Sequence, residues 1–432
     1  MTTFRAVFFL RAYNDTDHLT PVVWKWATTT GLPATVVVRT GKENLQDYRV
    51  QFLSKLPNVT VLHVSELFAG DPPANSDEPI PAGPPRRSFA ERAVNKVRRM
   101  LNMPVPQRLS KKSIDLGRIR EMVDKLFAPD EKGIVVFDWV SLSSLNRAFA
   151  KATAEAARGR GIANIALPHG DSPYYNKMFK LQDINYESVE HFGNTPTDVV
   201  VVPNPLTAER YTPFRSNREL KVIGSARYNQ EWMDTLKTFT PEYVNRGSDG
   251  KLKVVMFLRS PVFPIFWEEV ITAVRICTQF PDVYLVVKHH TRGGRRDNVK
   301  MREHLELNKL NTMEIPNLEV VYTDIHSGSL LEWADVVLDL GTSISFEAIR
   351  LNKPLLALEY LHANISTVAP YIPSVALQYK DQLYDTILKL RNDPTFKLYT
   401  EEERQYFISQ VIDYPDSNVL QRYVDTLLEQ MK

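Results

Sequence analysis

From Ala6 to Leu377 the chain repeats one pattern: a short apolar run, a turn, then residues at helical spacing. In the first half the runs are Ala6–Leu10, Ala34–Val38, Val59–Val64, Gly133–Phe137, Ile162–Leu167 and Val199–Val202. The second half continues with Lys221–Gly224, Val254–Leu258, Val283–Lys288, Leu318–Tyr322, Val336–Leu340, Leu355–Leu358 and Val375–Leu377. Each run is too short for a helix, and most are rich in β-branched residues. Strands that alternate with helices form parallel sheets covered on both faces. The expected class is therefore α/β. Helices are expected over Leu19–Thr30, Ser141–Arg158, Trp267–Phe280 and Ser345–Leu351, with one tail helix over Thr400–Met431. Acidic Glu401 to Glu403 suit the start of that last helix.

A length of 432 residues exceeds one typical domain and suits two large ones. The Asn204-Pro205 and Pro213 zone is the expected joint. The boundaries drawn are 1–212, 213–400, and a C-terminal helix over 401–432 that returns to the first domain. Hydrophobic content of 43% against 24% charged residues permits a core and argues against wholesale disorder. A net charge of +2 argues against a nucleic-acid-binding chain. One cysteine, Cys277, excludes an internal disulfide framework and a cysteine metal cluster, which fits a cytoplasmic, reducing setting. The start at Met1–Leu10 is expected to be a strand rather than a signal peptide. No apolar stretch approaches the roughly 18 to 20 residues that span a bilayer.

A Pro-rich, then basic stretch over about 71–115 interrupts the first domain. Arg86, Arg87, Arg92, Lys96, Arg98, Arg99, Arg108, Lys111 and Lys112 face a single acid, Glu91, over 86–112. Phe89, Ala93, Val97, Met100 and Leu101 fall at helical spacing among them. Such a helix can lie on an anionic membrane surface or dock an anionic acceptor. It equally suits a solvated helix covering the sheet.

Ligands of open parallel sheets bind beyond the carboxyl ends of the strands. Four stretches stand there. His169, in Pro168-His169-Gly170-Asp171, follows the run Ile162–Leu167; it is a candidate general base with Asp171 to orient it, or simply a polar loop residue. Ser225 and Arg227 follow Lys221–Gly224, and Arg binds phosphate oxygens as a bidentate fork. Lys288-His289-His290-Thr291-Arg292 opens a basic loop at the end of Val283–Lys288. Neighbouring histidines on an extended chain point to opposite sides, so one of His289 and His290 is expected to serve the site and the other to pack. Arg259 is a further strand-end charge.

The last stretch is Val336–Leu340 followed by Gly341, Thr342, Ser343, Ser345 and Glu347. Gly341 ends the strand. Thr342 and Ser343 suit an N-cap, with Glu347 near a capping-box position. A helix start here, with hydroxyls on Ser343 and Ser345, is an anion site. The stretch also suits an ordinary βαβ turn. No HExxH, P-loop or GxGxxG occurs, which leaves no expected metal or dinucleotide cofactor.

The order of these motifs resembles the GT-B transferases, nearest the CDP-glycerol glycerophosphotransferase-like group of surface-polysaccharide enzymes. Gly224-Ser225-Ala226-Arg227-Tyr228-Asn229 resembles that group's arginine turn, and Lys288-His289-His290 its Lys-x-His-Pro. Ala334-Asp335 through Glu347, then Asn352-Lys353-Pro354 with Glu359-Tyr360, resembles its Ala-Asp…Ser-Ser…Asn-Lys-Pro segment. Pro168-His169-Gly170 resembles its His-Gly motif. The departures are Ala226 and Thr291 in place of prolines, Leu340-Gly341-Thr342-Ser343 in place of Asp-Tyr-Ser-Ser, and Glu347 in place of an aspartate.

The resemblance implies two Rossmann-like domains facing a cleft. It implies a CDP/CMP- or UDP-linked donor held by Arg227, Ser225, Lys288, Arg292, Thr342, Ser343, Ser345 and Glu347, with Glu359 at the ribose. His169, His290 and Asp171 form the implied catalytic set. A glycan or glycopolymer hydroxyl is the implied acceptor, and the inner face of a membrane the implied setting. An epimerase of the same architecture and a non-catalytic polyanion binder are the alternatives.

Overall fold

The computed structural model describes residues 4–11, 13–68, 115–138, 144–168, 170, 174–175, 196–211, 219–259, 263–290, 309–310, 312–321 and 325–432. The basic stretch 86–112 and the residues His169, Asp171 and Arg292 lie outside them.

Two sheets are present, with helices α1 (Tyr13–Thr30), α2 (Tyr48–Leu53), α3 (Leu116–Leu126), α4 (Ser144–Arg158), α5 (Pro205–Tyr211), α6 (Gln230–Lys237), α7 (Trp267–Thr278), α8 (Ser327–Trp333) and α9 (Ile344–Arg350) among the described residues. The first contains β1 (Phe4–Leu10), β2 (Ala34–Val38), β3 (Val59–His63), β4 (Lys132–Asp138), β5 (Ala163–Leu167), β6 (Val199–Val202) and β7 (Glu219–Val222). Its order is β3-β2-β1-β4-β5-β6-β7. The second contains β8 (Leu252–Phe257), β9 (Val283–Lys288), β10 (Leu318–Val321), β11 (Val336–Asp339), β12 (Leu355–Leu358) and β13 (Ala376–Leu377), in the order β10-β9-β8-β11-β12-β13. The described pairings are parallel in both. The α/β expectation is met, because runs such as Val199–Val202 and Leu355–Leu358 are buried at every position.

Period-two alternation decides which helix each strand residue meets. On β8, Val254 and Met256, with Leu258 just beyond, share one core with Val270, Val274 and Cys277 of α7 (Trp267–Thr278). Val255 and Phe257 face the other way. Their core holds Leu330 and Leu331 of α8 (Ser327–Trp333) and Phe346 and Ile349 of α9 (Ile344–Arg350). In the first sheet Val7, Phe9, Val135 and Phe137 pack with Ile119 and Met122 of α3 (Leu116–Leu126) and Phe149 of α4 (Ser144–Arg158). Cys277 is fully buried, and burial pushes its thiol up to about 12, so it is a core residue and not a nucleophile.

The chain forms two compact units. One is Met1–Leu167 with Thr195–Asp198 and Leu427–Lys432; the other is Pro168–Asn194 with Val199–Thr426. The run expected at Lys221–Gly224 forms the edge strand β7 of the first sheet, two residues earlier than expected. The tail is not one helix. Glu401–Phe407 is α-helical, Ile408–Ile412 widens into a π-turn, and Val419–Gln430 is a separate helix after a Pro415-containing turn. Proline removes a donor and breaks the ladder there. Among the described residues no helix is long and apolar enough to cross a membrane.

Candidate functional site

The second sheet delivers charge to its carboxyl edge. β8 ends before Arg259, β9 ends on Lys288, β11 ends on Asp339 and β12 ends before Glu359. Parallel register brings these ends level: Phe257 is opposite both Lys288 and Asp339, and Asp339 is opposite Ala357.

Asp339 organises the turn that follows. Its carboxylate accepts the Gly341 N–H at 3.2 Å, the Thr342 N–H at 3.0 Å and the Thr342 hydroxyl. Ser343 stands at the N-cap position, as expected, but its side chain makes no capping bond; the Asp339 carboxylate, four residues earlier, holds the turn ahead of the helix instead. The Ser345 hydroxyl donates to the Thr342 carbonyl at 2.9 Å and is buried, so it is committed to the turn. Asp339 is fully buried, and that burial raises its carboxyl to about 7 against the lowering effect of Thr342 and Arg259.

Gly341 is required by both its conformation and its neighbour. Its φ is +75°, and a Cβ there would fall 2.4 Å from a ring carbon of Tyr174. Tyr174 is bridged antiparallel to Ser366, and the Tyr175 N–H donates to the Ile365 carbonyl at 2.8 Å. Its ring lies 5.7 Å from that of His362 and 6.2 Å from that of Phe263. The Arg259 guanidinium stacks 4.0 Å from the Phe263 ring and 5.1 Å from that of Tyr174. Burial, with Arg259 nearby, lowers His362 to about 4, so it is neutral near pH 7. Glu359 accepts the Ser366 N–H at 3.2 Å, and burial raises its carboxyl.

A second group surrounds α9. Arg227 approaches Glu347 at 3.7 Å, and its guanidinium carbon lies 5.0 Å from the Tyr228 ring. The turn carrying Ser225 and Arg227 is fixed from the C-terminal side. Ser225 N–H donates to Ile412 O at 2.7 Å, and the Tyr423 hydroxyl donates to Gly224 O at 2.8 Å. Gly224 has φ +103°, and a Cβ would meet Val419 at 2.6 Å and Ile412 O at 2.8 Å. Arg350 of α9 adds a 2.5 Å bond to Asp413.

The structure thus brings Arg227 to Glu347, and sets Lys288, Thr342, Ser343 and Glu359 along one strand edge. His289 is buried while His290 is partly exposed, as the alternation argument expects. Glu359 holds the Ser366 backbone. Sequence reasoning missed Asp339 as the turn's anchor, missed Tyr174 and His362 near Arg259, and missed Ser366 paired to Tyr174. The only signal for Arg259 was its place at a strand end. Among the described residues no cluster of three or more His, Cys, Asp or Glu is placed to hold a metal.

Comparison with solved structures finds this two-sheet arrangement along whole chains. S. aureus MnaA with UDP matches at TM-score 0.55 and 14% identity, over 98% of this chain and 95% of the other. UDP-GlcNAc 2-epimerase from Neisseria meningitidis bound to UDP-GlcNAc matches at 0.55 and 11%, over 99% and 100%. A glycosyltransferase from Rickettsia africae matches at 0.50 and 12%, over 100% of both chains. No protein-family model and no curated protein sequence matches this chain. At such identities the likeness shows the fold: this is an α/β protein with a GT-B-type pair of parallel sheets.

Proposed function

We propose that the protein is a GT-B-type transferase that moves a sugar or polyol-phosphate unit from a CDP/CMP- or UDP-linked donor to a hydroxyl of a glycan or glycopolymer. The observation that carries this reading is the set of basic and turn-forming groups at the carboxyl edge of the second sheet. Arg227, Lys288 and the Asp339–Ser343 turn supply cations and backbone donors for donor phosphates. Glu347, paired with Arg227, and Glu359 are acceptors suited to ribose hydroxyls. The likeness to structures carrying UDP or UDP-GlcNAc supports a nucleotide donor.

In this reading the donor phosphates lie against the second sheet. His169, with Asp171 orienting it, takes the proton of the acceptor hydroxyl. The acceptor oxygen forms a bond to the anomeric carbon, or to the phosphorus of a polyol phosphate, as the bond to the nucleotide breaks. The cationic groups, His290 and Arg292 among them, offset charge growing on the leaving nucleotide. The basic stretch 86–112 is the proposed contact for an anionic acceptor or membrane surface.

A second reading has its own support. At least four of the matched structures are described as UDP-GlcNAc 2-epimerases, one of them as putative. An epimerase interconverts its nucleotide sugar with no acceptor. Incubating the protein with UDP- and CDP-linked donors, with and without glycan acceptor, separates the two. Nucleotide release that depends on acceptor supports the transferase. Sugar interconversion without acceptor replaces it with the epimerase.

A further inference from the structure

Arg259 has an unusual environment for a cation. It is 8% exposed, and among the described residues it makes no ion pair or hydrogen bond; its Nε is buried without a partner. Its contacts are the faces of two rings, Phe263 and Tyr174. Stacking uses the face of a guanidinium and leaves the in-plane N–H fork free. Burying a charge without a counter-charge is costly. Among the described residues neither nearby acid makes an ion pair with it. The Asp339 carboxyl is engaged by Gly341 and Thr342, and Glu359 holds the Ser366 backbone, so both are directed at other partners. The neighbouring polar groups are hydrogen-bonding and uncharged: the neutral His362 ring, whose nitrogens make no well-formed hydrogen bond, and the buried Ser366 hydroxyl beside Glu359.

We infer that Arg259, with His362 near it, Tyr174 and Phe263 as walls and Ser366 paired to Tyr174, is an oxyanion-binding site, separate from the Arg227–Glu347 pair. Its occupant is a phosphate or carboxylate group. That group belongs either to the diphosphate of a nucleotide donor or to an acidic substituent on the transferred unit. These two sources rest on the nucleotide reading; the oxyanion chemistry does not. Tyr174 reaches this place because its backbone pairs with Ser366, so the ring wall and the loop 359–366 are held together.

The test uses the full-length protein and the variants Arg259→Gln, Arg259→Lys and Ser366→Ala. Melting temperature and titration calorimetry are read with inorganic pyrophosphate, UDP, UDP-glucose and UDP-glucuronate. Arg259→Gln is expected to weaken pyrophosphate binding about tenfold to a hundredfold, the range for a hydrogen bond to a charged group. Its ligand-free melting temperature should equal or exceed that of the parent, since an unpaired buried charge is gone. Arg259→Lys should recover part of the affinity, and Ser366→Ala should show a smaller loss in a variant that removes one oxygen atom.

If UDP and UDP-glucuronate weaken equally, the donor diphosphate is the occupant. If only the preference for UDP-glucuronate over UDP-glucose disappears, the occupant is the acid on the transferred unit. Either supports the site. Pyrophosphate binding to the parent, lost in Arg259→Gln, with no response to any nucleotide, would leave the site standing and remove the nucleotide reading. A lower ligand-free melting temperature with unchanged affinity for every probe would overturn the inference and make Arg259 a packing residue.

Discussion

Single residues set the form of the strand-edge turn. Gly341 combines a left-handed backbone with direct contact to Tyr174. Gly341→Ala should therefore destabilise the protein by about 1 to 3 kcal/mol, read by chemical denaturation; an unchanged midpoint would mean the turn relaxes freely. Asp339 gives a pH signature. Its carboxyl is raised from 3.8 to about 7 in the folded state. Between those values the folded protein holds a proton that the unfolded chain has released. This group's contribution to stability is full below about pH 4 and is lost as pH rises to about 7. His362, lowered to about 4, acts in the opposite sense, losing stability as pH falls from 6.5. Comparing Asp339→Asn with the parent cancels that background. The melting temperature of the variant should gain on the parent as pH rises from 4 to 8, and parallel profiles would show that Asp339 does not titrate there.

At the scale of elements, what sequence made legible was local. Val283–Lys288 and Leu355–Leu358 form strands with the expected limits, because β-branched or aliphatic runs buried on both faces have few alternatives. The strand–turn–helix at Val336–Arg350 was legible as a unit, yet its internal bonding was not. An aspartate after an apolar run looks like a strand terminus, and nothing local says that it holds Gly341 and Thr342 while Ser343 makes no capping bond. The Tyr174–Ser366 pairing joins positions far apart in the chain, and the stacking of Arg259 depends on it; no spacing rule encodes such a contact. The tail shows the reverse error. Its apolar spacing carries through Tyr414-Pro415-Asp416-Ser417, although those turn residues were visible. Two activity predictions belong to elements. His169→Ala, two residues past β5 in the sequence, should lower turnover about 10²- to 10⁴-fold with donor affinity retained. An unchanged rate would remove His169 from the mechanism. Arg227→Ala, in the turn held by Ile412 and Tyr423, should raise the donor dissociation constant about tenfold or more. Unchanged affinity would count against a phosphate contact.

For the whole molecule, two parallel sheets place their chemistry by one rule: strands bury their length and deliver function at their carboxyl ends. Stability and site are therefore separable. Leu338 is fully buried within β11, immediately before Asp339. Leu338→Ala should cost about 2 to 5 kcal/mol by denaturation, while donor affinity of the remaining folded protein stays close to that of the parent. A loss of affinity out of proportion to stability would mean that the core and the edge turn are coupled. The central claim is that the carboxyl edge of the second sheet binds a nucleotide diphosphate. Calorimetric titration of the purified protein with UDP and with CDP tests it most directly, with Arg227→Ala alongside. Saturable binding of at least one of them, weakened in the variant, is expected. A well-folded protein that binds neither would contradict it.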